Sequence, residues 1–551
     1  MNNQLKSGGE ILVEQIVRLK TELAFFVPGE SYLDVLNAMY DKKKELRLIN
    51  TRHEAGAANM AEAYGKLTGK PGVAFVTRGP GACHASIGVH IAHQDSTPMI
   101  LFIGQVSTQA LGREAFQEID YKQMFGSICK WVTEIDRVEK IPEIVSRAYK
   151  IAQAGRPGPV VVSLPEDILI EKTSAKTLPF FSTESSTVKT DSVSKLKEIL
   201  ANSKKPLMLL GGGSWSDISV QSICKFAYTN HLPIATSFRR LDCITLKNDN
   251  FVGDFGTSGP TTLIKNMQAV DTLLVVGARL GEMTTQGYKM LKPPILNKNL
   301  IHVHVSHEEI GRVFTPALGI EATPEEFSKT IEDEKIENSS NFKGWLRKLR
   351  QEYLSDKKPK SYNSELDLGK VFTNFANIVS KDCIYTLDAG NHSGWPQRFL
   401  NFGRPSRLIG STCGSMGYGV PAAIAASILF PNKMVIALVG DGGFMMSGLE
   451  LGTALQYKAN PIIFIFNNQS YGTIRMHQER EYPGRVFGTD LKNPDFLTLA
   501  SSFGAFTCRV SQTREFMPAV EEALRSKKLS VIELVMDKNQ LSTRLHLNEM
   551  N

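Results

Sequence analysis

Cysteine is sparse in this chain and badly spaced for a framework. Its seven thiols, at 83, 129, 224, 243, 383, 413 and 508, form no Cys-x-x-Cys pair, and their number is odd. Neither a zinc cluster nor a disulfide scaffold has its spacing here, and a reducing compartment is the expectation. No run of about 18 apolar residues occurs, so no helical membrane span is expected. The first 20 residues are polar and amphipathic, unlike the apolar core of a secretion signal. Charge of one sign is also scarce. The 63 basic and 56 acidic residues leave +7 over 551 positions, without the dense basic stripe of a nucleic-acid binder. Lys42-Lys43-Lys44 reads as a solvated loop or helix end. No short-period repeat is present. These absences leave a cytoplasmic protein with neither nucleic acid nor a membrane as partner. The weak positive bias suits a small anionic substrate.

What is present is ordinary globular composition, 42% apolar and 22% charged. The length exceeds the roughly 250–300 residues of one hydrophobic core, so several domains are expected. Strand-like apolar runs at Gly72–Thr77, Met99–Ile103, Val160–Leu164, Leu207–Leu210, Thr272–Val276, Leu300–Val305, Met434–Val439 and Ile462–Phe466 alternate with helical patterns. That rhythm predicts an α/β fold of three consecutive, doubly wound parallel-sheet domains. Two polar stretches, Lys172–Asp191 and Glu332–Asp367, read as linkers, the second with a helix around Trp345–Leu354. The expected domains are therefore 1–172, 190–335 and 366–545. Such a fold hosts many functions, so the function has to come from sites.

The richest site signal lies between Met434 and Tyr471. A buried strand ends at Val439 and runs into Gly440-Asp441-Gly442-Gly443, with a helix expected from about Ser447 to Lys458. A second buried strand ends at Asn467-Asn468. Parallel neighbours deliver their carboxyl ends to one sheet edge, which puts Asp441 beside Asn468, 27 positions away in sequence. Both are hard oxygen ligands, and the glycines let backbone approach a phosphate. Magnesium prefers one or two such ligands plus diphosphate oxygens and water. The alternative reading of Gly-Asp-Gly by itself is a plain strand-turn-helix with a solvated aspartate.

Gly-Asp-Gly followed by Asn-Asn, which begins 26 positions after Asp441, resembles the signature of thiamine-diphosphate enzymes. The resemblance implies that Asp441 and Asn468 bind Mg²⁺ through side chains and Ser470 through its carbonyl, with Tyr471 and Gly472 beside the cofactor. Such enzymes also need a carboxylate next to the cofactor's pyrimidine N1′. Thr51-Arg52-His53-Glu54-Ala55-Gly56-Ala57-Ala58 offers Glu54 in the first turn of a small-residue helix, where the macrodipole favours a carboxylate. A capping glutamate without chemistry is the alternative. Arg-His-Glu-x-Gly-Ala-x-x-Met-Ala-Glu-x-Tyr is similar to the N-terminal domain of acetolactate synthases, which implies the N1′ role for Glu54. It also implies an active site between two chains of a homodimer or homotetramer, and raises a regulatory subunit.

Further blocks carry the same resemblance over about residues 10 to 540. Thr77-Arg78-Gly79-Pro80-Gly81-Ala82, Gly104-Gln105-Val106, Ala115-Phe116-Gln117-Glu118 and Asn493-Pro494-Asp495-Phe496 match it. They imply Pro80 at the cofactor and Phe116 and Gln117 in the substrate pocket, although Phe116 could equally be core. Gly414-Ser415-Met416-Gly417 precedes a helix expected near Pro421, and the resemblance makes Met416 a wedge under the cofactor. Asp388-Ala389-Gly390-Asn391-His392 ends the expected strand Cys383–Leu387, with Asn391 and His392 reaching the diphosphate. The central part resembles the family's flavin domain, which raises FAD, with Gly211 and Arg279 as its candidate residues. Arg279 could instead hold a substrate carboxylate. Three positions depart from the pattern. Leu280-Gly281-Glu282-Met283 replaces the family's Phe-Asp-Asp-Arg, His477 stands where a tryptophan shapes the acceptor pocket, and His84 replaces an asparagine. His477 could donate or accept a proton or form a pocket wall. The implied reaction is decarboxylation of a 2-oxo acid with transfer of the remaining fragment to a second carbonyl. Simple decarboxylation, carbon–carbon lysis, a flavin oxidase resembling pyruvate oxidase, and a non-catalytic scaffold are the alternatives.

Overall fold

A computed structural model describes residues 5–181, 187–362 and 364–550. Residues 182–186, inside the first expected linker, and residue 363, inside the second, lie outside the described residues. The chain divides into two compact units. One contains the described residues up to 181 with Ser411–Pro431 and Met445–Asn460. The other contains those from 187 to Gly410 with Asn432–Phe444 and the residues from Pro461 onward.

The first unit is built on a six-stranded parallel sheet. Its strands are Leu23–Phe26, Arg47–Asn50, Gly72–Val76, Met99–Gln105, Trp131–Glu134 and Pro159–Pro165. Arg47–Asn50 and Trp131–Glu134 form its edges. Val73, Phe75, Ile100, Phe102, Val160 and Val162 belong to one cluster, with apolar residues of the helices Gly8–Arg18, Leu33–Asp41 and Ile141–Gln153. Glu54–Thr68 and Gly79–Asp95 pack closely against each other because their facing residues are small. A Cβ on Gly88 would lie 2.7 Å from the carbonyl carbon of Ala58. The alanine-rich helix Gly419–Leu429 also packs on Glu54–Thr68.

The second unit holds two more parallel six-stranded sheets. The central one comprises Pro206–Leu210, Ile234–Ser237, Phe251–Phe255, Thr272–Val276, Asn299–His304 and Leu318–Glu321. Leu207, Leu209, Leu273 and Val275 enter one core cluster, while Met208, Leu210, Leu274 and Val276 enter another. Burial of both faces is why these strands read as unbroken apolar runs. The helix Phe342–Asp356 packs on this sheet, with Trp345 Nε1 donating to the Pro206 carbonyl at 3.0 Å. Part of the stretch read as a second linker thus packs on a core, through Phe342, Trp345 and Leu349. The third sheet comprises Ile384–Leu387, Arg407–Gly410, Val435–Gly440, Ile462–Asn467, Phe506–Val510 and Ser530–Val535.

Strand order places the sites. In each sheet one run of strands winds outward in one direction and the next run in the other, leaving a switch point between two neighbours. These neighbours are Leu23–Phe26 and Gly72–Val76, then Pro206–Leu210 and Thr272–Val276, then Ile384–Leu387 and Val435–Gly440. Ligands of open parallel sheets bind beyond the carboxyl ends at such points. Among the described residues no helix is long and apolar enough to cross a membrane.

Candidate active site

Val435–Gly440 and Ile462–Asn467 run parallel, with Gly440 opposite Phe466. Asp441 and Asn467-Asn468 therefore leave the sheet at one edge. The helix begins at Asp441 itself, as Asp441–Ser447, and resumes at Leu451–Tyr457 after a short 3₁₀ turn, rather than starting near Ser447. Gly442 N donates to Asp441 Oδ1 at 3.0 Å, and Asn493 Nδ2 donates to Oδ2 at 2.7 Å. Asn493 also donates to Asn467 Oδ1 at 3.0 Å, and Asn467 Nδ2 donates to Glu533 Oε1 at 2.6 Å. Asn467 is thus committed to the interior. Asn468 is the neighbouring amide, and its Oδ1 accepts from Ser470 N at 3.1 Å. A Cβ on Gly472 would lie 2.7 Å from Asn468 Nδ2.

Burial raises the Asp441 carboxyl above its ordinary range, opposed by Asn493 and by backbone amides. Those donors are neutral, and a buried carboxylate supplied only by neutral donors is one that a cation would stabilise. Ser470 is buried, and its Oγ has no hydrogen-bond partner. Its carbonyl accepts from Gly472 N at 2.8 Å. The donor set fits a divalent cation bridging to an anion. The strand partner across the switch point delivers Asp388 to His392. A Cβ on Gly443 would lie 2.9 Å from Asp388 Oδ2, and one on Gly440 would lie 3.0 Å from His392 Nδ1. Burial, with Arg239 nearby, pushes His392 down to about 3, so the ring is neutral at ordinary pH. Its Nε2 has no hydrogen-bond partner. Asn391 Nδ2 donates to the Leu541 carbonyl at 2.8 Å. Tyr471 is half-buried, its N–H donating to the Thr489 carbonyl at 2.8 Å. His477 is exposed on the helix Gly472–Glu481.

In the first unit, Glu54 opens the helix Glu54–Thr68, and His53 caps it by accepting Ala55 N on Nδ1 at 3.1 Å. Glu54 Oε2 lies 2.8 Å from His84 Nδ1, and the His53 and His84 rings stack at 4.4 Å. Pro80 is exposed in the first turn of Gly79–Asp95. Gly79 N donates to the Gln117 carbonyl at 3.0 Å, and Arg78 donates to the Phe116 carbonyl at 3.3 Å and pairs with Glu30 at 3.0 Å. These contacts seat Phe116 and Gln117 beside that helix start. Phe116 is 71% exposed, so it is not a core residue. Met416 is half-buried in a loop closed by Ser415 N donating to Ser411 Oγ at 2.9 Å. Gly414 in the same loop has φ +72°. Tyr418 anchors the loop's end on Glu62 at 2.6 Å.

At the central switch point, a Cβ on Gly211 would lie 2.9 Å from that of Ala278, and one on Gly212 2.8 Å from the Gly277 carbonyl carbon. The Gly211 carbonyl accepts from Trp215 Nε1 at 2.8 Å, and that of Gly212 from Arg240. Packing of two strand ends therefore accounts for these glycines without a ligand. Arg279 is half-buried just beyond them. Asn493 is a participant that the sequence shows only as part of a matching block.

Three family models match the chain. They are the thiamine pyrophosphate enzyme N-terminal TPP binding domain over residues 6–124, the central domain over 193–331, and the C-terminal TPP binding domain over 388–534. Among similar proteins is the mitochondrial acetolactate synthase of Schizosaccharomyces pombe, 30% identical over 97% of this chain and 84% of that protein. The acetolactate synthase large subunit of Cyanidium caldarium is 29% identical over 97% and 94%. The mitochondrial acetolactate synthase catalytic subunit of Saccharomyces cerevisiae is 30% identical over 97% and 81%.

Proposed function

This chain belongs to the thiamine pyrophosphate enzyme family, and from that premise we propose how its residues divide the work. It is a thiamine-diphosphate-dependent enzyme of the acetolactate synthase type. The bound cofactor supplies a nucleophilic carbon and an electron sink for decarboxylating a 2-oxo acid and passing the remaining fragment to a second carbonyl. Asp441, Asn468 and the Ser470 carbonyl would hold a magnesium ion against the diphosphate. Gly440, Gly442 and Gly443 keep the backbone low enough for phosphate oxygens to approach. Pro80, Gly414, Met416, Tyr471, Gly472, Asn391 and His392 flank the cofactor, with His392 as a neutral ring behind Gly440. Glu54 would hold a hydrogen bond at pyrimidine N1′. Phe116 and Gln117 face the substrate, and His477 forms part of the acceptor wall. The observation that carries this reading is the buried Asp441 carboxylate, met by neutral donors beside Asn468 at a switch point.

By its likeness to the family, Glu54 serves a cofactor held by another copy, so the working assembly is a homodimer or homotetramer, cytoplasmic by expectation. Relatives named as large subunits, such as that of Cyanidium caldarium, make a smaller regulatory partner worth seeking. FAD draws no support from Gly211 or Gly277, whose close packing explains them. The colour of the purified protein tests for it: yellow supports a bound flavin, and a colourless protein argues against one. The decisive test is Glu54→Gln. Turnover of pyruvate should fall at least 10²-fold, on the order of a general acid–base contribution, with the fold intact. Unchanged turnover refutes the role of Glu54.

A further inference from the structure

The turn that presents Glu54 is held by a second carboxylate. Glu450 is 2% exposed in the short stretch Gly448–Glu450. Its Oε1 accepts the N–H groups of Arg52 and His53, each at 3.1 Å. Its Oε2 accepts from Thr453 Oγ1 at 2.5 Å and from Arg52 N at 3.3 Å. The surroundings are shaped to this contact. A Cβ on Gly56 would lie 2.6 Å from Glu450 Cδ, so only glycine leaves room for the carboxylate. The Arg52 guanidinium donates to the Gly452 carbonyl at 3.3 Å and to Gln456 Oε1 at 2.7 Å. Asn50 N donates to the Tyr457 hydroxyl at 2.7 Å. Residues 50–53, from the strand end to the helix cap, are therefore bound along one rail.

The chemistry calls for a carboxylate in particular. Arg52 and His53 precede the helix, so their N–H groups have no intrahelical acceptor, and leaving a buried one unpaired costs about 1–3 kcal/mol. Two successive N–H groups and a hydroxyl converge on one side chain. An ionised carboxylate offers only lone pairs to them, whereas an amide would turn its own donor toward one of them. Glu450 does not touch reacting atoms. It fixes the direction in which the next residue, Glu54, leaves the turn.

We infer that Glu450 is a positioning residue for Glu54, setting the geometry of the activating carboxylate through the Arg52 and His53 backbone amides. This rests on the role proposed above for Glu54. A misplacement near 1 Å costs about 10²-fold in rate, which is the scale expected here. In the holoenzyme with pyruvate, Glu450→Gln should lower kcat on that order, leave KM within a few-fold, and weaken the circular-dichroism signature of the bound pyrimidine tautomers. Introduced into the Glu54→Gln enzyme, the same change should lower kcat no more than a few-fold further, because both act through one group. Glu450→Asp, which retains the buried charge one methylene short, supplies the same comparison if the glutamine variant does not fold, and should lie between it and wild type. A merely structural role would lower the melting temperature and reduce kcat by the same factor in both backgrounds, which would overturn the inference. Wild-type kcat in Glu450→Gln would overturn it too. Should Glu54→Gln itself keep full turnover, the role of Glu54 fails instead; an inactive Glu54→Gln beside an unimpaired Glu450→Gln sinks only the present inference.

Discussion

Replacing Gly88 by alanine sets two effects of known size against each other. Within a helix, alanine is favoured over glycine by about 1 kcal/mol. Gly88 sits in Gly79–Asp95 where the Glu54–Thr68 helix crosses it, and the new Cβ would lie 2.7 Å from the Ala58 carbonyl carbon and 3.0 Å from its Cα. Ordinary contact begins at 3.4 Å and the Ala58 Cβ lies nearer still, so the helices must part by about 1 Å. The obstacles are the Ala58 Cβ and two backbone atoms, none of which a rotamer change can move. Overpacking of this kind costs about 1–3 kcal/mol, so the clash should win by up to about 2 kcal/mol. Gly344, in the helix Phe342–Asp356, provides the control, because a Cβ there meets nothing within 4 Å. Gly344→Ala should gain up to about 1 kcal/mol from propensity alone. Thermal unfolding followed by circular dichroism compares the two variants, with the midpoint falling for Gly88→Ala and rising for Gly344→Ala. Ala58 lies one helical turn beyond Glu54, so Gly88→Ala should also reduce turnover. A Gly88→Ala protein that melts above wild type would refute the packing argument.

Two further perturbations probe charge. Burial lifts Asp254 to about 6, and its Oδ2 has no hydrogen-bond partner. A raised acid binds its proton more tightly when folded, so its stabilising contribution is present below about pH 4 and is lost as pH rises through about 6. The shift of about 2 units corresponds to about 3 kcal/mol at most. Asp254→Asn should therefore melt above wild type at pH 8 and lose that advantage at pH 4; equal differences at both pH values would contradict the assignment. Asp441→Ala should weaken magnesium-dependent thiamine diphosphate binding more than about 10-fold, measured by fluorescence titration. The cofactor-free variant should melt no lower than wild type, because it loses a buried carboxylate supplied only by neutral donors. Undiminished binding would remove Asp441 from the metal site.

Some of this protein is legible from its sequence because the determining interactions are local or repetitive. Strands such as Thr272–Val276 and Ile462–Asn467 are buried on both faces and show as apolar runs. The edge strands Trp131–Glu134 and Leu318–Glu321 are partly exposed and carry no such run. Ile234–Ser237 and Phe251–Phe255 are buried, yet Ala, Thr, Gly and Asp within them mask the pattern. The Gly-Asp-Gly and Asn-Asn pair was readable because one β-α-β crossover fixes its spacing. What holds the neighbouring Asn467 was not readable, because Asn493 and Glu533 arrive from other elements. The helix start at Asp441 was likewise hidden, since glycines there suggest a loop until the turn is seen packed.

Residue types, strand periodicity and short motif spacing by themselves determined the three parallel sheets, the placing of Asp441 beside Asn468 and the glutamate at a helix start. Only the tertiary structure decided that Glu450 meets Arg52 and His53 across nearly 400 positions, that Gly211 and Gly277 face each other, and that Phe116 stands in solvent. The physical reason is that a motif within one crossover is held by a few consecutive residues. A contact between distant segments exists only once sheet order and helix packing have brought them together, and neither leaves a periodic trace in the residues that meet.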